Sequence, residues 1–269
     1  MTKGFFDVPA DLSKARILVT NDDGYLSTGI KILEKVARSL SRDVWVVAPE
    51  SEQSAVSHSL TIRRPLRIRK LKGNRYCVDG TPTDAVMLAV SKILKDRRPT
   101  LCLSGINRGG NLGEDISYSG TVAAAMEATM LGVPAIALSQ VLTNPHPAKW
   151  ATAEHHAAMT IRQIIGTLVR GGGWPHNVLI NVNFPDVLAN AVKGTSAAPA
   201  GRYKIGDDLH ENVDPRGVPY YWIGSVREEE SVRKGTDIAE VRRGRIAVTP
   251  LYLDLTHQAL LQRLKKTLK

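Results

Sequence analysis

The stretch Ile17-Leu18-Val19-Thr20-Asn21-Asp22-Asp23-Gly24 constrains the fold more than any other part of the chain. Its first four residues are apolar or β-branched, the signature of a buried strand. The strand runs straight into two adjacent carboxylates and a glycine. Apolar residues then recur at Ile30, Leu33, Val36, Ala37 and Leu40, which is helical spacing. A strand that passes into a helix across an acidic turn opens a βα unit. In open α/β sheets the carboxyl ends of strands are where ligands bind. Two neighbouring like charges are unfavourable unless something cationic holds them, so a divalent metal is one reading. The other is a turn in which Asn, Asp and Gly merely supply local hydrogen bonds and a positive φ.

The alternation continues down the chain. Strands are expected over 44–48 (stopped by Pro49), 75–78, 100–103, 134–138 and 178–184 (stopped by Pro185). Thr81-Pro82-Thr83-Asp84 reads as a helix start, with a capping hydroxyl, Pro in the first turn and Asp84 as a dipole partner. Small residues over 120–131 form a helix that can approach a sheet closely. A longer helix over 151–169 ends at Gly171-Gly172-Gly173. This predicts an α/β fold with a mainly parallel sheet. Residues 1–14 lack periodicity and read as a loose N-terminal extension, with the core over 15–189. From 190 to 269 the βα alternation lapses. Extended pieces at 193–205, 220–226 and 245–249 suggest a smaller β-rich appendage that contacts a second subunit, closed by an amphipathic helix over 256–268.

Composition narrows the function classes. Of 269 residues 43% are hydrophobic, enough for a full core, but only 5% are aromatic, which disfavours a stacking surface for single-stranded nucleic acid. Cys77 and Cys102 both lie in apolar runs and read as reduced core residues, and no run is long enough to cross a bilayer. The expected location is the cytoplasm, without membrane partners. The net charge of +10 attracts anionic partners. The densest basic cluster, Arg63, Arg64, Arg67, Arg69, Lys70, Lys72 and Arg75, interleaves with Leu66 and Ile68. It reads as a charged edge strand in preference to a polyanion groove, so no dedicated nucleic-acid partner is expected.

Three further stretches follow strands and can reach the same sheet edge. Residues 49–61 are rich in hydroxyls, including Ser51, Ser54, Ser57, Ser59 and Thr61. Ser104-Gly105-Ile106-Asn107-Arg108-Gly109-Gly110-Asn111 reads as a glycine-rich loop. Tyr118-Ser119-Gly120-Thr121 leads into a helix, where free N–H groups and hydroxyls make a phosphate cradle or a plain N-cap. A carboxylate pair, an amide and a hydroxyl give all-oxygen coordination, which favours Mg²⁺ or Mn²⁺ over zinc. A hard metal beside a phosphate cradle describes phosphate-ester hydrolysis. His58 reads as a general acid or as a loop histidine held for structure; His155 and His156 read as structural. Tyr220, Tyr221 and Trp222 suit a subunit interface better than a nucleobase pocket. The first βα turn lacks a G-x-G-x-x-G triplet, which argues against a dinucleotide oxidoreductase.

These motifs carry a resemblance. Asn21-Asp22-Asp23-Gly24, Val47-Ala48-Pro49 with Ser54 and Ser59-Leu60-Thr61, and Gly80-Thr81-Pro82-Thr83-Asp84 come first. Ser104-Gly105-Ile106-Asn107, Tyr118-Ser119-Gly120-Thr121-Val122 with Glu127, and Asn181-Val182-Asn183 follow. Asp214-Pro215-Arg216-Gly217 and Thr236-Asp237 complete a series that resembles the SurE family of survival proteins and 5′-nucleotidases. The resemblance implies a Rossmann-like three-layer αβα sandwich whose C-terminal portion exchanges arms in a homo-oligomer, a dimer or tetramer. It implies a phosphomonoesterase acting on nucleoside 5′-monophosphates, with 3′-monophosphates and short polyphosphate as further substrates. It places one Mg²⁺ or Mn²⁺ per subunit on Asp22, Asp23, Ser54 and Asn107. Asn21 joins the two aspartates in catalysis by holding the phosphate or orienting the loop, the other reading being a purely structural turn residue, and Ser119, Gly120, Thr121 and Gly105 surround the phosphate. The chain departs from the family at the extension before Arg16 and at Ala128, where glycine is usual, both away from those residues.

Overall fold

The computed structural model describes residues 5–6, 8–143, 147–202, 209–223 and 233–268. Six strands run parallel in the order β9 (Val178–Phe184), β7 (Ala135–Gln140), β6 (Leu101–Arg108), β2 (Arg16–Thr20), β3 (Asp43–Pro49) and β5 (Arg75–Val78). Antiparallel β4 (Ile68–Lys70) forms one edge. At the other edge β13 (Ile246–Tyr252) pairs antiparallel with β9 and carries β10 (Thr195–Ala197) outside it.

Helices cover both faces, and strand alternation decides which side chain meets which helix. Ile17, Val19, Leu101, Leu103, Ile136 and Leu138 point into the core shared with α1 (Thr28–Leu40) and α4 (Trp150–Arg170). Leu18, Val47, Cys102, Ala135 and Ala137 point the other way, toward α2 (Pro82–Leu88) and α3 (Gly120–Met130). The periodicity of α1 is realised as expected: Ile30, Leu33, Val36, Ala37 and Leu40 are its buried face, and Ser27 caps it by accepting from the Ile30 N–H. α2 starts with a capping box, Thr81 and Asp84 bonding each other's backbone N–H groups. In α3 the small side chains of Ala123, Ala124, Ala125 and Ala128 are all buried, which lets the helix lie close on the sheet.

Three expectations are corrected. Where the N-terminal segment is described it is docked, not loose: Phe5–Phe6 (β1) pairs with Trp174–Pro175 (β8), and Val8 and Leu12 are buried in the core; residues 1–4 and 7 lie outside the described residues. Ser104 to Arg108 is strand, not loop. It remains in β6 because β7 supplies partners on its flank, with a register shift between Ser104 and Asn107 absorbing the glycine. The sheet also continues past residue 190, since β10 and β13 extend it. What stands apart is the hairpin of β11 (Leu209–Val213) and β12 (Pro219–Ile223), every strand residue of which is exposed, and α5 (Gln258–Thr267), which buries none of its own residues. Of the expected extended pieces, 203–205 and 224–226 lie outside the described residues.

The basic cluster lies at the β4 edge and is largely paired. Arg64 and Arg67 approach Asp79, Arg69 bonds Glu50 at 2.6 Å, and Arg75 bonds Glu34 at 3.3 Å. Cys77 and Cys102 are free buried thiols, and burial pushes the Cys102 thiol up to about 12. Among the described residues no helix is long and apolar enough to cross a membrane.

Candidate active site

The sheet reverses its winding between β2 and β6. From β2 the chain steps to β3 and β5 on one side, then returns to β6 on the other. The crevice at the carboxyl ends of those two strands is the topological switch point. β2 delivers Asn21, Asp22 and Asp23 there, and β6 delivers Asn107 and Arg108.

Asp22 is 5% exposed and meets the first turn of α3 directly. Its Oδ1 accepts from the Thr121 hydroxyl. The approach demands glycine next door: a Cβ on Gly120 would sit 2.8 Å from the Asp22 Cβ and 3.0 Å from its Oδ2. The acidic turn and the helix start, read in the sequence as two halves of a site, are therefore in contact. In this structure the Thr121 hydroxyl serves Asp22.

Asp23 accepts from the Arg108 N–H at 3.3 Å. Burial, then the neighbouring Asp22 charge, push its carboxyl up to about 6, with the Arg108 hydrogen bond opposing. Burial likewise raises Asp22, against the pull of Thr121. Two adjacent carboxylates, both pushed upward by burial and by acidic neighbours (Glu52 beside Asp22, Asp22 and Glu52 beside Asp23), are short of positive charge.

Asn21 is fully buried. Its Nδ2 donates to the Gly24 carbonyl and to Ser27 Oγ, both at 2.9 Å, so it orients the turn into α1. Its Oδ1 is buried without a hydrogen-bond partner. Asn107 donates Nδ2 to the Gly109 carbonyl at 3.0 Å, which leaves its amide oxygen as the acceptor end. Gly105, expected beside phosphate, is also demanded by the sheet. With φ at +129°, a Cβ there would lie 2.2 Å from the Leu138 carbonyl oxygen, so close sheet packing demands the glycine. Ser119 is the α3 N-cap, its Oγ accepting from the Val122 N–H at 3.0 Å.

Ser54 lies on the exposed 50–61 loop and donates to Glu52 at 2.8 Å. The loop reaches the aspartates through its backbone, because the neighbouring Gln53 N–H donates to the Asp22 carbonyl at 2.8 Å. His58 Nε2 lies 3.0 Å from Glu127 Oε2 on α3. The sequence singled out Glu127 only as a motif residue and did not pair it with His58; the available signal was one carboxylate in a helix otherwise of small and apolar residues, seven positions and hence about two turns after Gly120. Asp84 does more than face a helix dipole, since its Oδ1 also accepts from the Thr61 N–H at 3.0 Å. His156 is held by the Ala189 carbonyl at 2.8 Å, a structural role.

Behind Asn107 a polar brace fixes the loop that follows β6. Asn181 and Asn183 donate to the Asn111 carbonyl at 2.8 and 3.0 Å, and Asn111 donates to Ser139 at 2.8 Å. Asp237 accepts from the Gly113 N–H at 3.0 Å. Asn111, Asn181, Asn183 and Asp237 were visible in the sequence as motifs without a role, and Ser139 was not; the fold makes them supports.

Among the described residues no three His, Cys, Asp or Glu side chains converge to hold a metal. A cation at the switch point would therefore draw on two carboxylates and neutral oxygens, the donor set of a hard divalent ion. The upward-pushed aspartates and the unpartnered Asn21 oxygen fit such an ion.

A family model described as "Survival protein SurE" matches residues 17–207. The chain is 60% identical over 253 residues to a protein named 5′-nucleotidase SurE from Paramagnetospirillum magneticum, covering 94% of this chain and 95% of that one. It is 51% identical over 246 residues to the 5′-nucleotidase SurE of Parvibaculum lavamentivorans, covering 90% and 87%. The crystal structure of the SurE protein from Aquifex aeolicus superposes with a TM-score of 0.79 at 39% identity, covering 94% of this chain and 99% of that one.

Proposed function

Because this chain belongs to the SurE family, we propose that it is a 5′-nucleotidase that hydrolyses nucleoside 5′-monophosphates to nucleoside and phosphate with one divalent cation, Mg²⁺ or Mn²⁺, per subunit. The observation that carries the reading is the contact between Asp22 and the first turn of α3 at the switch point, which sets an acidic pair against a helix N-terminus.

Asp22 and Asp23 would hold the cation as anionic ligands, with the Asn107 amide oxygen and the Ser54 hydroxyl as neutral ones. When bound, such an ion polarises the phosphoryl oxygen and lowers the pKa of water. The chain's own groups supply the rest. Thr121 fixes the rotamer of Asp22, and Asn21 fixes the turn that presents both aspartates. The first turn of α3, with Ser119, Gly120 and Thr121, offers helix N–H groups and the positive end of a dipole to the phosphate and to the charge that grows on it in the transition state. Gly105 lets β6 lie against β7 and so places Asn107.

The proposal extends to 3′-monophosphates and short polyphosphate, whose terminal groups present the same oxygens. It extends also to a homo-oligomer, dimer or tetramer, built by the C-terminal arm. Leu209, Tyr221, Trp222 and Ile223 of the hairpin are each more than half exposed within one chain, and an isolated two-stranded hairpin is marginal in water. Two unpaired buried thiols fit a reducing compartment such as the cytoplasm. The test is phosphate release from AMP and GMP by the wild type, by Asp22→Asn and by Asp23→Asn. Undiminished turnover in either folded variant refutes the assignment.

A further inference from the structure

The 50–61 loop leaves β3 and crosses from the aspartates to α3, and its backbone is not relaxed. Ala55 and Ser57 hold φ values of 58° and 54°, a left-handed conformation that is unfavourable for a residue with a Cβ. Such a loop keeps its shape only where the surroundings over-determine it. Here they do. The Gln53 N–H bonds the Asp22 carbonyl, and the Ser57 N–H and hydroxyl bond the Tyr118 and Ser117 carbonyls at 3.2 and 2.8 Å. The Thr81 hydroxyl bonds the Ser59 carbonyl at 2.8 Å, and the Thr61 N–H bonds Asp84. Ser54 is thus bracketed by one pin on Asp22 and another on the residues just before α3.

His58 adds a pin of a different kind. Glu127, 7% exposed, lies on the helix whose first turn touches Asp22. A buried carboxylate adds nothing to helix–sheet packing and costs desolvation unless it is partnered. His58 is the partner, at 3.0 Å. We propose that the His58–Glu127 pair is a latch that locks the strained 50–61 loop onto α3, so that both are positioning residues for the hydrolytic site. The inference rests on the 5′-nucleotidase reading. It assigns His58 a hydrogen bond to give, not a proton to deliver.

The latch and a merely stabilising pair predict different behaviour. His58→Ala leaves Glu127 buried and alone, so it lowers both stability and activity. His58→Ala/Glu127→Ala removes the orphaned charge and restores much of the stability. A latch stays open in that double variant: kcat/KM for AMP remains about 10–100-fold below wild type, the scale of a site misplaced by about an ångström. Hydrogen exchange over residues 51–62 is fast in both variants. His58→Asn keeps a donor for Glu127 but cannot act as an acid at neutral pH, and it holds kcat/KM within about fivefold of wild type. Activity that recovers with melting temperature in the double variant overturns the proposal, as does exchange over 51–62 that matches wild type. His58→Asn as inactive as His58→Ala also overturns it, since the imidazole proton is then what matters. A wild type that releases no phosphate from AMP refutes the nucleotidase reading, and the exchange data then decide the latch alone.

Discussion

Asp23→Asn should make the metal-free protein more stable while abolishing its activity. The folded chain holds the Asp23 carboxyl at about 6 instead of 3.8, because burial and the Asp22 charge penalise its ionised form. A shift of that size corresponds to about 3 kcal/mol of destabilisation once the group is ionised. Asparagine removes the charge but weakens the acceptor for the Arg108 N–H, returning about 1 kcal/mol. The net gain is about 2 kcal/mol at pH 7.5, or several degrees in Tm for a chain of this size. The sign in pH follows from linkage. Above pH 3.8 the unfolded chain ionises Asp23 freely, whereas the folded chain retains the proton up to about 6. The Asp23 contribution to wild-type stability in chelator therefore falls as pH rises from about 4 to about 6 and stays low above it, and the variant lacks that share of the fall while keeping the one from Asp22. Urea unfolding with chelator at pH 4.5, 6 and 7.5 measures the difference. Added Mn²⁺ reverses the order, since an ion at 100 times its Kd stabilises the wild type by about 2.7 kcal/mol and leaves the variant nearly unchanged. A variant less stable than wild type in chelator at pH 7.5, or parallel pH profiles, would refute the argument that the acidic pair is built for a cation.

Thr121→Val removes the hydroxyl that bonds buried Asp22; it should cost about 1–3 kcal/mol in denaturant unfolding and weaken Mn²⁺ binding by calorimetry, and unaltered binding would count against a positioning role. Gly105→Ala forces a Cβ to 2.2 Å from a backbone carbonyl at a φ of +129° and should yield insoluble protein or a Tm loss exceeding about 10 °C. Cys77 and Cys102 should resist a thiol reagent in the native state and both react in denaturant, as buried thiols do; fast native labelling of Cys102 contradicts its packing. Tyr221→Lys/Trp222→Lys on the exposed hairpin should shift the protein toward monomer in sedimentation velocity, and an unchanged assembly places the interface elsewhere.

Much of the fold was legible because strand and helix periodicities are local. The 178–184 strand, the buried face of α1 and the Thr81 cap all stand where the residues put them. The failures share one cause, namely partners distant in sequence. Ser104 to Arg108 looked like a loop because glycine and asparagine are poor strand formers, yet β7 pairs with it on its flank. Residues 8–14 and the Phe5–Phe6 pair showed no period because they are anchored singly, by Val8, Leu12 and the short pairing with Trp174. At the site, residue types were readable but directions were not. Nothing local tells that the Thr121 hydroxyl faces Asp22, that Gly105 is needed by Leu138, or that His58 ends on Glu127.

The most direct test of the account is a phosphate-release assay on the purified wild type. AMP, GMP, 3′-AMP and tripolyphosphate are each offered with Mg²⁺, with Mn²⁺ and with chelator. The account predicts release from nucleoside 5′-monophosphates that chelator abolishes, that Mg²⁺ or Mn²⁺ restores, and that Asp22→Asn and Asp23→Asn lack. Turnover that persists in chelator, or that survives the loss of either aspartate, would contradict it.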